Sequence, residues 1–546
     1  MMKMNIRQKI EEWIKERLEA ERVVLAHPKE MKNGDYSFFA AGKTDEFARI
    51  LNENKLPEIS EIKTAGGFIN FYLSKEFFGE SVSEIVEKGE KTGETGLFKG
   101  KKILIEHTQP NPFKEFHIGH LMNNAIGESV ARVLAVNGAE VTAVGYHGDV
   151  GLHVAKAIWG KMQKPELSWG EAYAYGAKNF DENKETITEI NKKVFEKSDS
   201  KINKLYEEGK KDSLEYFESL YKKLDSNFDH HFYESQTGEV GNKIVEENLN
   251  KIFEKSDGAV IFRGENFEPK THTRVFINSE GIPTYEAKEV GLAELKKEKY
   301  EYDESITVTA NEQDAFFDVT EVAIGEILPE LKGKLKHLSH GTLRLPSGKM
   351  SSRTGDVITS ESLIEQVKEK VADKLKDREY SGDQKQEISE AVAIGAIKYS
   401  ILRQAIGGDI IFDFEKSISF EGDSGPYLQY TVVRANSVLE KAASQGPALK
   451  DAPKVGPWES WETTELERYL YRFPEVVERA GKEYAPHYIV TYLIELAGMF
   501  NSFYAKERIV DETDPSSPYK VALTQAAYNV LKSGLFLLGV RVPERM

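Results

Sequence analysis

A strand, a helix and a second strand follow one another between residues 101 and 149, and this order constrains the fold more than any other stretch. The first strand is KKILIEH (residues 101–107), the helix begins after HIGH (residues 117–120), and the second strand is AEVTAVGYHGD (residues 139–149). Strands joined through a helix lie side by side in parallel. The sequence therefore predicts an α/β fold with a parallel sheet and a nucleotide site at the carboxyl edge of its first strand.

Two histidines flank one glycine where this helix begins. The N–H groups at a helix N-terminus attract phosphate, and the imidazole N–H groups of His117 and His120 can donate to negative charge that develops on a phosphate. Gly119 allows a ligand ring to lie close to the backbone. The alternative interpretation is that both histidines only cap or pack the helix.

Composition excludes several other classes of protein. The chain has 546 residues, of which 40% are apolar, so it can bury several cores. It has no cysteine, which excludes disulfides, a thiol nucleophile and a thiolate zinc site. No apolar run approaches the roughly 20 residues that span a bilayer, and the first residues lack the apolar stretch of a secretory signal. We therefore expect a cytoplasmic protein without membrane contact.

Four regions are predicted along the chain. Residues 1–98 form a small α+β module that opens with a helix, because its apolar residues repeat with a period of 3.6. Residues 99–360 contain the parallel sheet, interrupted at about 161–255 by charged amphipathic helices. Residues 361–424 form a helical connection and residues 425–546 an all-α domain, with a Pro/Gly-rich loop near 445–460. The adjacent His230 and His231, interpreted as helical, point about 100° apart and do not predict a metal site.

A second polar loop, LPSGKMSSRTGDV, occupies residues 345–357. Its cationic side chains suit a triphosphate whose pyrophosphate end is neutralised as it leaves, although such a loop alone is usually only surface. HIGH and, far downstream, KMSSR at residues 349–353 resemble, in this order, the paired signatures of the class I aminoacyl-tRNA synthetases. The pair is far more specific than either motif by itself.

Further motifs resemble the arginyl-tRNA synthetase family within that class. IEHTQPN at residues 105–111 is similar to its acidic residue followed by Ser-Pro-Asn, with Gln109 in place of serine. Lys114 matches the lysine three residues before HIGH. Tyr285 and Glu289, in GIPTYEAKEVGLA, match a tyrosine and an acid four residues apart, and Gln313 matches a glutamine after the next strand. GDY…GFINFYL resembles the N-terminal tRNA-binding domain, and GPYLQYTVVRANSVL the start of the anticodon-binding domain.

The resemblance implies a Rossmann-like catalytic domain that makes arginyl-adenylate and pyrophosphate from L-arginine and ATP, then transfers arginine to the terminal ribose of tRNA(Arg). Mg²⁺ is expected to accompany ATP through phosphate oxygens, without a metal site in the protein, and the chain is expected to be a monomer. The implied catalytic residues are His117, His120, Lys114, Lys349 and Arg353. The implied ATP-binding residues are His117, Gly119, His120, Lys349, Met350, Ser351 and Ser352. The implied arginine-binding residues are Glu106, Gln109, Pro110, Asn111, His120, Tyr285, Glu289 and Gln313.

A guanidinium carries five donors in a plane, so a selective pocket needs acceptors arranged as a fork beside a flat surface. Glu106 or Glu289 can supply the carboxylate, Tyr285 the ring and hydroxyl, and Asn111 and Gln313 the neutral partners. Polar groups left unpaired by lysine or citrulline would give selectivity of up to ~10⁴-fold, without an editing domain. The alternative for Glu289 is an ordinary ion pair on an exposed helix.

Several positions depart from the family pattern. The family usually has Asp where this chain has Glu289, and class I loops commonly carry lysine where it has Ser352, so that Lys114 and Arg353 are left to supply the charge. Val150 and His153 stand where tryptophan and glutamine are frequent. Another class I specificity would lack the arginine-binding set, and a tRNA-binding paralogue without catalysis would have lost HIGH or the KMS motif.

The net charge of −17 gives no general attraction to RNA. Residues 425–546 contain 14 Lys and Arg against 15 Asp and Glu, so the acidity lies upstream and a local basic face is possible there. The aromatic side chains of Tyr427, Tyr430, Phe503 and Tyr504 are candidates to stack on unpaired bases. The alternative is that these side chains are buried in the core of the helical domain.

Overall fold

The computed structural model describes residues 5–40, 42–344, 359–376, 378–445 and 461–546. The chain begins with an α+β module in which an antiparallel sheet has the strand order β1-β2-β4-β3. Its elements are α1 (Ile6–Leu18), β1 (Leu25–Ala26), β2 (Tyr36–Phe39), α2 (Thr44–Glu53), β3 (Ile59–Ala65), β4 (Phe68–Leu73) and α3 (Lys75–Lys88).

The predicted first helix is confirmed as α1. Asn5 caps it by accepting a hydrogen bond from the backbone N–H of Gln8, as polar N-cap side chains commonly do. Three of the five periodic apolar residues, Ile10, Trp13 and Ile14, are buried. They belong to an apolar cluster that is formed by the N-terminal module together with Tyr471 of the tail.

The second part of the chain is built on a five-stranded parallel sheet in the order β12-β11-β5-β6-β7, which confirms the α/β prediction. A three-stranded antiparallel sheet, β10-β9-β8, lies beside it in sequence. The elements are β5 (Lys102–Glu106), α4 (Ile118–Val136), β6 (Glu140–His147), α5 (Leu152–Gln163), α6 (Trp169–Lys178), α7 (Lys184–Glu196), α8 (Ser200–Lys223), β7 (His230–Tyr233), α9 (Glu234–Glu247), β8 (Phe253–Ser256), β9 (Ala259–Phe262), β10 (Arg274–Ile277), α10 (Tyr285–Lys299), β11 (Glu304–Ala310), α11 (Asp314–Ile327), β12 (Leu335–His340) and β13 (Leu343–Arg344).

The strand order changes direction at β5. From β5 the chain crosses to β6 on one side, whereas β11 occupies the other side, with Glu106 opposite Thr307 and opposite Val144. In an open parallel sheet, ligands bind outside the carboxyl ends of the strands at such a switch point. Glu106 ends β5 at this position, and HIGH opens the helix that follows.

The prediction of helices across about 161–255 is wrong at β7. This four-residue strand pairs in parallel with β6, with Val144 opposite His230 and Gly145 opposite His231. Four residues are too few for the period-of-two pattern of a strand to be distinguished from the helical pattern of the surrounding sequence. Neighbouring side chains of a strand point to opposite faces, so His230 and His231 diverge here as well. Within the described ranges no group of three or more His, Asp or Glu is arranged to hold a metal ion.

Helices form nearly all of the rest of the described chain. They are α12 (Ser360–Leu375), α13 (Gly382–Leu402), α14 (Phe414–Ser417), α15 (Gly425–Ser444), α16 (Glu465–Leu470), α17 (Phe473–Glu483), α18 (His487–Lys506) and α19 (Ser517–Leu537). A two-residue strand, β14 (Ile410–Ile411), pairs with β13. The predicted Pro/Gly-rich loop lies outside the described residues from position 446 onward. In the described part of the chain, no helix combines the length and apolarity needed to cross a membrane.

One apolar cluster extends from the sheet into the helical tail. It contains buried side chains of β5 and α4 together with those of α13, α15, α18 and α19. The N-terminal module contacts this body through polar groups, since the Arg468 Nε donates to Asp35 at 2.8 Å and Glu475 accepts from Tyr36 and His27. It also makes apolar contacts, because Tyr471 of the tail packs in the cluster of the module. Helix α4 is thus held by the tail beyond its first turns, where Ser129 Oγ donates to the carbonyl of Leu537 at 2.8 Å, and it presents HIGH at its N-terminus.

Candidate active site

His117 and His120 cap the N-terminus of α4 and also present donors away from it. His117 is the N-cap, and its Nδ1 accepts the backbone N–H of Gly119 at 3.1 Å. The Nδ1 of His120 accepts the backbone N–H of His117 at 3.2 Å, and the two rings stack with centroids 3.5 Å apart. Because each Nδ1 accepts a hydrogen bond, each neutral imidazole carries its hydrogen on Nε2. Capping and phosphate binding are therefore compatible.

Both histidines are neutral in this environment. Burial lowers the pKa of His117 to about 4, and Lys114 acts in the same direction. Burial also lowers the pKa of His120 well below its usual value, with His117, Lys114 and His147 adding to the effect. A Cβ at position 119 would lie 3.0 Å from the His117 ring, a tight contact that glycine avoids. The helix start therefore offers two fixed neutral donors.

Lys114 is held beside this pair by an aromatic ring. Its Nζ lies 5.1 Å from the ring centroid of Tyr173. Burial lowers the pKa of Lys114, while Glu234 counteracts this and Lys156 reinforces it. An ammonium group in this position adds positive potential next to the histidine donors.

The loop after β5 is fixed by its own side chains. Gln109 adopts φ of 45° and donates from Nε2 to Glu106 Oε1 at 2.7 Å. The Gln109 Oε1 in turn accepts from Asn123 Nδ2 at 3.1 Å, on α4. The glutamine that replaces the family's serine therefore joins β5 to α4, a role that the sequence did not indicate.

Pro110 and Asn111 are tied to the end of β6. The Pro110 carbonyl accepts from His147 Nδ1 at 2.6 Å. The Asn111 Oδ1 accepts the backbone N–H of Gly148 at 3.1 Å, and a Cβ at position 148 would come within 2.6 Å of that oxygen. Asn111 therefore uses its carbonyl oxygen inside the protein and has its amide N–H groups left to donate.

Glu106 and Glu289, the two candidate carboxylates of the predicted arginine subsite, differ in the partners that they already have. Glu106 is 2% exposed and its Oε2 lies 2.6 Å from Lys296 Nζ. Glu289, on α10, forms no hydrogen bond or ion pair with any described residue. Burial and the Glu106 carboxylate raise the pKa of Glu289 to about 8, although Lys296 opposes the shift. The alternative, an ion pair of Glu289 on an exposed helix, does not describe this buried and unpaired side chain.

Tyr285 and Gln313 form the solvent side of the predicted subsite. Tyr285 is the first residue of α10 and is 67% exposed. It precedes Glu289 by about one helical turn, so the two side chains lie on the same face of the helix. Gln313 is exposed and follows the carboxyl end of β11. Both side chains are therefore accessible to a ligand.

The turn after β6 contains residues that sequence reasoning assigned no role. Asp149 is fully buried and accepts from Lys210 Nζ at 2.7 Å, Tyr206 and Ser235. Burial acts to raise the pKa of Asp149, but these bonds together hold it below its usual value. His153 donates from Nε2 to the carbonyl of Gly148 at 2.8 Å. The departure at His153 therefore retains a donor to this turn.

An ion pair between α10 and α9 was also not predicted from the sequence. Lys288 Nζ lies 2.6 Å from Glu234 Oε2, and both side chains are largely buried. Lys288 also lies over the Tyr285 ring at 5.0 Å. Lys288 and Lys296 are two of several lysines in a charged helix, so no sequence signal distinguished them from surface residues. The predicted Lys349, Met350, Ser351, Ser352 and Arg353 lie outside the described residues.

The tail aromatics divide between core and surface. Phe503 is 7% exposed and belongs to the core. Tyr427 is partly buried, and its hydroxyl accepts from Asn501 Nδ2 at 3.0 Å. The guanidinium of Arg434 lies over both Tyr430 and Tyr504, at 4.8 and 5.1 Å from their ring centroids. Tyr504, which is 42% exposed, is the most accessible of the four.

The sequence matches the family described as “tRNA synthetases class I (R), catalytic domain” over residues 81–414 and the “DALR anticodon binding domain” over residues 428–546. The parallel sheet and the HIGH-capped helix at its switch point thus define a class I aminoacyl-tRNA synthetase. The chain is 30% identical to the arginine–tRNA ligase of Limosilactobacillus reuteri, with 96% of this chain and 95% of the relative covered. It belongs to the class I (R) family, the arginyl-tRNA synthetases.

Two further comparisons agree over nearly the full length. The arginine–tRNA ligase of Borrelia hermsii is 29% identical, with 97% of this chain and 96% of the relative covered. The solved structure of the Thermus thermophilus arginyl-tRNA synthetase superposes with a TM-score of 0.79 at 24% identity, covering 99% of this chain and all of the other. The fold is therefore shared from the N-terminal module to the helical tail.

Proposed function

We propose that the protein is an arginine–tRNA ligase that activates L-arginine with ATP and transfers it to the terminal ribose of tRNA(Arg), as a cytoplasmic monomer. One observation carries the proposal most directly. Two neutral imidazoles, each with its hydrogen on Nε2, stand at the switch point of the sheet, and the carboxyl end of β5 lies close to Glu289, a carboxyl group without an ion pair to a described residue. Donors for phosphate and an acceptor for a guanidinium thus lie at the same edge.

In the first step, the arginine carboxylate attacks the α-phosphorus of ATP and pyrophosphate leaves, which gives arginyl-adenylate. His117 and His120 donate from Nε2 to phosphate oxygens as their charge grows, and Lys114 stabilises the same charge. Neutral donors suit this task because they need no proton transfer, and burial strengthens their hydrogen bonds. The protein contributes position and electrostatics rather than a nucleophile. Lys349 and Arg353 are assigned to the leaving pyrophosphate by their motif alone.

Arginine is bound through its guanidinium group and through neutral hydrogen bonds. Glu289 accepts from the guanidinium and Tyr285 lies beside its plane, while Asn111 and Gln313 provide neutral hydrogen bonds. A charge-assisted hydrogen bond in a buried site is strong only for a cation that fits it. Citrulline has no charge to offer Glu289, and lysine has one ammonium where the pocket expects a fork.

In the second step, a terminal ribose hydroxyl of tRNA attacks the adenylate carbonyl and AMP leaves. Because the chain is acidic overall, tRNA is held by local contacts from residues 1–98 and from the helices after Ser424. The Arg434 guanidinium with Tyr430 and Tyr504 is suited to stack on unpaired anticodon bases. The four regions predicted from the sequence are the units that we assign to these tasks.

Mg²⁺ is proposed to arrive with ATP. The acidic residues of the site are engaged by lysines or face the arginine, and no described group of three carboxylates or histidines offers a metal site. Bound through phosphate oxygens, Mg²⁺ would neutralise charge on the triphosphate. The protein residues described above act independently of it.

The test is ATP–pyrophosphate exchange with each of the 20 amino acids, with and without tRNA. We expect exchange with arginine and none above background with lysine. Citrulline serves as the matched control, because it keeps the shape of arginine and removes its charge. Exchange that favours another amino acid would refute the specificity, and tRNA binding without any exchange would identify a paralogue that only binds.

A further inference from the structure

The two carboxylates of the arginine subsite differ in what they already bind. Glu106 has partners on both oxygens, since Gln109 donates to Oε1 at 2.7 Å and Lys296 Nζ lies 2.6 Å from Oε2. The side chains of Lys296 and Glu106 are 4% and 3% exposed. Breaking such a buried pair leaves an uncompensated charge, which is strongly unfavourable. Glu106 is therefore already held by an ion pair with Lys296, whereas no such partner among the described residues holds Glu289.

Glu289 lies two helical turns before Lys296 in α10, so both project from the same face of that helix. The charged groups around Glu289 come from four elements: Glu106 on β5, Glu321 on α11, Glu234 on α9 and Lys296 on α10 itself. Glu234 is paired with Lys288 and Glu106 with Lys296. Glu289 and Glu321 are the two carboxyl groups of this set that form no ion pair with a described residue, and Glu289 is the one on the helix face of Tyr285 and Lys296.

We propose that Lys296 is a positioning residue that reserves Glu106 as its permanent ion-pair partner, so that Glu289 alone exchanges its proton for the guanidinium of arginine. The inference rests on the proposed arginine subsite. On binding, the Glu289 O–H bond breaks, the proton passes to solvent, and the resulting carboxylate accepts hydrogen bonds from the guanidinium. No oxidant or further reactant is involved.

Charge conservation in a buried site supports this exchange. Without ligand, Lys296, Glu106 and a protonated Glu289 sum to zero. With arginine, the guanidinium adds one positive charge and Glu289 one negative charge, so the sum is again zero. A net charge in a buried site is costly, and this arrangement avoids it in both states. The raised pKa of Glu289, about 8, is consistent with a proton held there at neutral pH.

The experiment is isothermal titration calorimetry of L-arginine into the full-length protein at pH 7, in two buffers with different ionisation enthalpies. For a group with a pKa of about 8, arginine should release about 0.9 proton per site at this pH. Between pH 6 and pH 8 the dissociation constant should fall about 50-fold, a range below the titration of the arginine α-ammonium. The neutral His117 and His120 do not contribute in that range.

Matched variants separate the residues. Glu289→Gln should bind arginine more weakly, release no proton and show no pH dependence. Burial and Asp318 raise the pKa of Glu321 to about 7, so Glu321 titrates in the same range, and Glu321→Gln is the control that should retain the proton release. Lys296→Met should move the midpoint to higher pH, because its ammonium favours the charged form of Glu289. Lys296→Arg should restore the wild-type profile.

Arginine binding to the wild-type protein without proton release would overturn the inference and leave the ligase assignment intact. Proton release that persists in Glu289→Gln would overturn it too, since another group would then be the source. If Lys296→Met does not fold, the measurements on the wild-type protein, Glu289→Gln and Glu321→Gln still test whether Glu289 releases the proton. Failure of arginine both to bind and to support ATP–pyrophosphate exchange would remove the proposed function and the inference together.

Discussion

Replacing His120 with alanine removes two interactions that the structure allows us to separate. The His120 Nδ1 accepts the backbone N–H of His117 at 3.2 Å, which stabilises the start of α4. Its Nε2–H is the donor that we assign to the phosphate of the transition state. The glutamine variant keeps an acceptor that can reach back to the N-cap, as in a capping box, but lacks the imidazole donor.

The two interactions differ in size and in what they affect. Loss of the capping acceptor should cost about 1 kcal/mol in the free energy of unfolding. Loss of a donor to developing charge should lower kcat by ~10²- to 10³-fold, or about 3–4 kcal/mol of transition-state stabilisation. We therefore expect His120→Ala to lose both activity and some stability, and His120→Gln to lose activity with near wild-type stability.

Urea-induced unfolding measures the first effect, and ATP–pyrophosphate exchange with arginine and tRNA present measures the second. A control for the fold is substrate-free binding of tRNA, which both variants should retain. The assignment would be refuted by near-normal kcat in a stably folded His120→Ala protein. The assignment would also be refuted if the loss of kcat in each variant were proportional to its loss of unfolding free energy.

Three further predictions concern other residues. Burial lowers the pKa of His153 to about 4, so the stability that its neutral form contributes is present above about pH 6.5 and is lost as the pH falls towards 4. His153→Gln should therefore reduce the loss of unfolding free energy between pH 7 and pH 5 by about 2 kcal/mol; equal slopes of stability against pH for the two proteins would contradict this. Glu289→Gln should raise the KM for arginine about 10- to 100-fold at pH 8, because a charge-assisted hydrogen bond becomes neutral; an unchanged KM would return the main role to Glu106. Tyr504→Ala should leave the fold intact and weaken tRNA binding by about 1–3 kcal/mol in a filter-binding assay, whereas Phe503→Ala should instead lose about 3–5 kcal/mol of stability. Wild-type tRNA affinity in Tyr504→Ala would exclude this surface from the interface.

The sequence predicted those parts of the fold that depend on local pattern. The strand, helix and strand around HIGH occupy β5, α4 and β6, and α4 alone has 19 residues. Apolar strands and a long helix carry strong periodic signals. The strand β7 was missed because its four residues, HHFY, lie among long helices. Whether a short segment forms a strand depends on the strand with which it pairs. Here that partner, β6, is distant in sequence.

The candidate site shows the same division. His117, His120 and Gly119 were predicted together because one short motif places them at the N-terminus of one helix. Lys296 could not be identified, because its role depends on meeting Glu106, which belongs to a strand much earlier in the chain. Motifs indicate which residues approach the substrate, whereas the groups that set the charge of those residues become visible only when the chain is folded.

The apolar cluster that joins the sheet to the helical tail has a thermodynamic consequence. Since α4, α13, α15 and α19 bury side chains in one cluster, the sheet and the tail should unfold in a single cooperative transition. The N-terminal module has an apolar cluster that Tyr471 of the tail joins, and its helix α3 contributes Val82 and Ile85 to the larger cluster, so we expect the module to be coupled to the same transition. A cut near Ser424 would divide a core rather than a linker, so the helices after it are best studied by substitution within the intact enzyme.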